Sequence, residues 1–92
     1  MATGNPPRET QRPERRSDVE WIELDGEAVL YDPAAYTLHL LNAAAAAVWA
    51  RCDGTATATD ISRVLSDIYS DPTVVPDVHA AIRYLRRANL LR

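Results

Sequence analysis

The stretch YTLHLLNAAAAAVWARCDG, residues 36 to 54, changes its apolar period within two residues. Tyr36, Leu38 and Leu40 alternate with Thr37 and His39 as in a strand, and a run of five alanines, Ala43 to Ala47, follows with only Asn42 after Leu41. A strand therefore abuts a helix directly. Asn42 suits an N-cap, because its side-chain oxygen can accept one of the helix's first unpaired N–H groups. Ala45, Val48, Trp49 and Cys52 fall at i, i+3, i+4 and i+7, one buried stripe, and Gly54 marks the stop. The alanines have high helix propensity and offer a flat surface for close packing against a neighbour.

The preceding segment, VEWIELDGEAVLYD, has period two on both sides of Asp25-Gly26, a strong hairpin signal. Ile22 and Leu24 alternate with Trp21 and Glu23; Val29 and Tyr31 continue in the return strand. Trp21 then lies opposite Ile22 and Leu24, where it is exposed, covered by the N-terminal tail or placed at a partner contact. Asp32-Pro33 turns the chain into the third strand, which a meander leaves at an edge. Helix two opens at Thr57 with Asp60 in a variant capping box and directs Ile61, Val64, Leu65 and Ile68 inward. Helix three opens near Pro76 and Asp77, buries Val78, Ile82 and Leu85, and ends at Asn89, with Leu90 and Leu91 folding back onto the core. The expected fold is α+β: a small winged helix-turn-helix-like domain with a three-stranded antiparallel meander followed by three helices.

Residues 1 to 18 carry one Met and no other large apolar side chain, so they are expected to be a disordered tail preceding a domain of residues 19–92. The chain has ten Arg and no Lys against 13 Asp and Glu, a net charge of −3, which makes nucleic acid a poor partner. Glu20, Glu23, Asp25, Glu27 and Asp32 crowd the early strands, whereas Arg83, Arg86, Arg87 and Arg92 gather near the C-terminal end. The longest apolar run, Ala43 to Ala50, falls far short of the ~20 residues that span a bilayer, and the N-terminus lacks a signal-like apolar segment. No membrane association and a cytoplasmic location are expected. Cys52 has no second cysteine to pair with.

Catalytic chemistry is thin. His39 and His79 have no spacing that joins a nucleophile, a base and an orienting group, so no enzyme activity is expected. Cys52 on an apolar stripe reads as a small hydrophobe. No metal-ligand spacing or phosphate-binding glycine loop occurs, and no cofactor is expected.

Several short pieces in a fixed order resemble one family: Leu41-Asn42, Val48-Trp49, Cys52-Asp53-Gly54, the TATDI start of helix two, and DVHAAIRYLRRANLL at the end. The run from about residue 20 to 91 looks like the PqqD family, the leader-peptide recognition elements of pathways that modify ribosomally made peptides. Alanines replace the family's usual Thr and Gly after the Leu-Asn pair, and Asn89 replaces the Gly of its final Gly-Leu-Leu; neither change removes the fold.

The resemblance implies a non-catalytic adaptor. A precursor leader peptide would add a strand along strand three, in a groove closed by helix three, and be passed to a modifying enzyme. That enzyme would be a radical S-adenosylmethionine enzyme, or a leader peptidase and cyclase pair as in lasso-peptide pathways. Strand three has no Pro or Lys to blunt its edge, so Thr37, Leu38, His39 and Leu40 can pair through their backbones. About four hydrogen bonds at ~0.5–1.5 kcal/mol each cannot offset an association cost of ~4–15 kcal/mol, so side-chain pockets must add binding energy. Each anchor burying ~150 Å² adds about 4 kcal/mol. The expected pockets lie between Leu38 or Leu40 and Val78, Ala81, Ile82 and Leu85, with Arg83 and Arg86 as a cationic rim. The same residues also read as plain core and a solvated basic face. The alternatives are a small winged-helix DNA-binding protein and a subunit stabilised within another complex.

Overall fold

A computed structural model describes residues 11–70 and 76–92. Its elements follow the expected α+β order: β1 (Glu20–Leu24), β2 (Glu27–Asp32), β3 (Thr37–Leu41), α1 (Ala43–Ala50), α2 (Ala58–Ile68) and α3 (Val78–Arg87). The strands form an antiparallel sheet in the order β1-β2-β3. Asp25 and Gly26 both take positive φ, 54° and 84°, so the two-residue hairpin twists with the sheet and sets Leu24 opposite Glu27. At the next turn the Asp32 carboxylate accepts from the Ala34 N–H at 3.0 Å, and Tyr36 completes the reversal at φ 55°.

The register reverses the expected faces. Trp21 pairs with Leu30, Glu23 with Ala28, and His39 with Leu30, so these residues share the side that α1 covers, together with buried Leu41. Ile22, Leu24, Val29, Tyr31, Leu38 and Leu40 lie on the other side, and Tyr36 is exposed. The period-two pattern holds on both faces, and both are apolar. Alternation therefore could not say which would be covered. The junction decides it: only Asn42 separates Leu41 from the start of α1 at Ala43, and Leu41 turns toward the helices.

The helix ends follow their caps. The Ala45 N–H donates to Asn42 Oδ1 at 2.9 Å, Thr57 and Asp60 form a reciprocal capping box, and Asp77 Oδ1 accepts from the Ala80 N–H. Asn89, at φ 60°, closes α3 in a Schellman arrangement, with Leu90 N–H donating to Leu85 O at 2.9 Å and Asn89 N–H to Arg86 O at 3.0 Å. Val48, Trp49, Cys52, Ile61, Leu65, Val78, Ile82, Leu85, Leu90 and Leu91 form the core with Leu30 and Leu41. The α2 side chains expected inward divide: Ile61 and Leu65 are buried, whereas Val64 and Ile68 are exposed, because α2 turns only a narrow stripe to the core.

The expected tail also divides. Residues 1–10 lie outside the described residues, but 13–18 are packed. Pro13 is buried; Glu14 bridges Asp53 and Arg15 bridges Leu91, with Arg15 N–H donating to Cys52 O and Arg92 N–H to Glu14 O, both at 2.8 Å. Arg16 then grips both Asp18 and buried Asp32, its nearest contacts at 2.7 and 3.1 Å, and donates to Asn89 O at 2.8 Å. Backbone pairing and ion pairs hold this strap, not apolar burial, which explains why composition suggested disorder. Arg15 also lies 5.5 and 5.8 Å from the ring centres of Trp21 and Trp49, which meet edge to face at 6.1 Å. Trp21 is thus partly covered by the strap and remains 41% exposed.

Candidate functional site

β3 pairs with β2 on one side, and among the described residues no strand pairs with its other side. The strap does not bridge to this border; its bridges go to Asp53 and Leu91. Thr37 to Leu41 therefore offer a row of backbone groups for a further strand.

Besides buried Leu41, His39 reaches the helical layer from β3. His39 Nδ1 lies 3.3 Å from the Tyr84 hydroxyl, and His39 Nε2 lies 3.3 Å from Thr37 Oγ1. A neutral ring donates through one nitrogen and accepts through the other, so this chain is satisfied in either tautomer. Tyr84 is 42% exposed, leaving part of its ring open beside the strand. Ala81 lies one turn earlier on the same flank of α3 and is half-buried.

The other expected site residues are distributed differently. Val78, Ile82 and Leu85 are buried in the core and hold α3 in place. Leu38 and Leu40 face away from α3, across from Tyr31 and Val29. Arg83 and Arg86 line a hollow of about 310 Å³ with Pro13, Ala58, His79 and Ile82, at the strap rather than at β3. The structure thus joins Thr37 and His39 to Tyr84 at the strand edge, whereas Arg83 and Arg86 stand at the strap. Tyr84 escaped the sequence reading, although its spacing of three from Ala81 places it on the same flank.

Acid–base chemistry does not converge here. The buried thiol of Cys52 is pushed up to about 11, chiefly by desolvation, and donates to Val48 O at 3.2 Å. Hydrogen bonds from Arg16 hold the carboxyls of Asp32 and Asp18 below the usual range. Among the described residues no three His, Cys, Asp or Glu side chains are grouped to hold a metal ion, and no helix is long and apolar enough to cross a membrane.

An unpaired edge strand beside a partly open helix flank, in a three-strand, three-helix arrangement, defines a small α+β domain with an open sheet border. The family described as coenzyme PQQ synthesis protein D (PqqD) matches residues 27–91, and the chain belongs to it. Among solved structures, TbiB1 in complex with the TbiA(beta) leader peptide is similar, with a TM-score of 0.71 and 25% identity over 86% of this chain and 94% of that one. No curated protein shows a significant match.

Proposed function

We propose that this protein is a non-catalytic adaptor that binds the leader of a ribosomally made precursor peptide as a fourth strand on β3 and presents it to a modifying enzyme. The observation that carries the reading is the open β3 border beside Ala81 and Tyr84, in a fold similar to that of leader-bound TbiB1. Backbone pairing would set the leader's register, and alternate leader side chains would turn toward Tyr84 and Ala81. The enzyme is of the radical S-adenosylmethionine type or a leader peptidase and cyclase pair, and the genes beside this one distinguish these.

The test is titration of isotope-labelled protein with the leader of the precursor encoded next to its gene. Amide shifts at residues 36–41 and around Ala81 and Tyr84 are expected. Shifts confined to the Arg83 and Arg86 hollow would reject docking on β3.

A further inference from the structure

The helices cover one side of the sheet only. On the other side, Ile22, Val29 and Leu40 stand in register across all three strands, and Tyr31 and Leu38 form a second row ending at Glu20. Ile22, Leu24, Leu38 and Leu40 are 57%, 56%, 67% and 77% exposed. Such a contiguous apolar face is costly to leave in water and marks an interaction surface. A recess of about 230 Å³ between Ile22, Val29 and Tyr31 lies at its Glu20 end.

Charge and area together select the occupant. The face carries the carboxylates Glu20 and Glu27, and no strand of the sheet contains an Arg or Lys. Two copies meeting through it would bring like charges together around an apolar centre with no cation to offset them, so a second copy is disfavoured. Complementarity calls for a different protein whose apolar patch is bordered by Arg or Lys. Three strands at ~4.8 Å spacing and five residues at ~3.3 Å give a footprint of roughly 240 Å², well short of the ~800 Å² per partner of a standard interface. A strand added along β3 would widen this same face by about a third, with every second side chain pointing outward beside Leu38 and Leu40.

We infer that the outer sheet face is the docking surface for the modifying enzyme, which would contact adaptor and leader together across one continuous sheet and hold the loaded adaptor more tightly than the empty one. This rests on leader binding at β3. The enzyme's own docking patch is then apolar with a cationic border.

The test uses the full chain, the leader peptide and the purified modifying enzyme encoded beside them. The double variant Ile22→Gln/Leu24→Gln lies on β1, remote from the leader border, and both side chains are already more than half exposed. It is expected to bind leader with unchanged affinity and amide shifts, and to lose at least tenfold in affinity for the enzyme. Glu20→Gln/Glu27→Gln is expected to weaken the enzyme complex severalfold and flatten its salt dependence. Leader at saturation should tighten the parent's hold on the enzyme.

Unchanged enzyme affinity in Ile22→Gln/Leu24→Gln would overturn the assignment, as would a leader-insensitive complex. A parent that sediments as a dimer and becomes monomeric in that variant would assign the face to self-association instead. A parent that fails to bind leader would reject the leader reading alone, and is scored separately from the β1 variant's effect on enzyme binding.

Discussion

His39 Nδ1 and the Tyr84 hydroxyl, 3.3 Å apart, form the described side-chain hydrogen bond that joins the open strand to α3. It sets the separation of strand and helix at the open border.

Tyr84→Ala is expected to weaken leader binding about tenfold, which corresponds to roughly 1.4 kcal/mol. Tyr84→Phe keeps the ring and should lose less than about threefold. Because Tyr84 is only partly buried, the far-ultraviolet spectrum of both variants should match the parent. Calorimetric titration with the leader provides the measurement, and equal affinity for Ala and parent would remove Tyr84 from the site.

Successive N–H groups on β3 alternate between β2 and the open border. Of Leu38→Pro and His39→Pro, one therefore removes a bond to β2 and lowers the melting temperature sharply. The other is expected to keep its melting temperature within a few degrees and to abolish leader binding. Methylating alternate amides of the leader should locate the same pairing from the peptide's side.

Arg16 holds the carboxyls of Asp32 and Asp18 below their ordinary value, so these groups titrate lower in the folded chain than in the unfolded one. Their contribution to stability is present above the unfolded value of ~3.9 and is lost as pH falls through the depressed folded values. Melting temperature should drop steeply below about pH 4 in the parent. Asp32→Asn should melt lower at pH 7 and show a shallower acid limb.

Cys52 is buried, with its thiol raised to about 11, so it is protonated at ordinary pH. A thiol-reactive chromophore at pH 8 should label it only at the rate of unfolding, and at once in denaturant. Rapid labelling of the native protein would contradict the packing of α1.

Deleting residues 1–17 removes the strap and leaves Asp32 buried without Arg16. A loss of about 2 kcal/mol, a fall of roughly 8–16 °C in melting temperature, is expected. An unchanged melting temperature would return residues 13–17 to the status of a passive tail.

The parts legible in the sequence are those that one or two residues determine locally. Asn42, the Thr57–Asp60 pair, Asp25-Gly26 and Asn89 each perform the backbone task that their chemistry suggests. The open border of β3 was legible too, because a meander has an edge at its last strand. The covered side of the sheet was not, since Ile22 and Leu40 outside are as apolar as Leu30 and Leu41 inside. The strap was missed because it is held by Arg16, Asp32 and backbone bridges, partners distant in sequence. The same limit placed Arg83 and Arg86 beside β3, when the rotation of α3 turns them to Pro13 and Ala58.

The bridges from Glu14 and Arg15 to Asp53 and Leu91 have a consequence for biogenesis. During synthesis Asp53 and Leu91 emerge well after Glu14 and Arg15, so this segment waits for its bridges while they are made. The bridge to Leu91 can close only after residues 90–92 have left the ribosome, whereas Asp32 and Asp53 are available to the strap earlier.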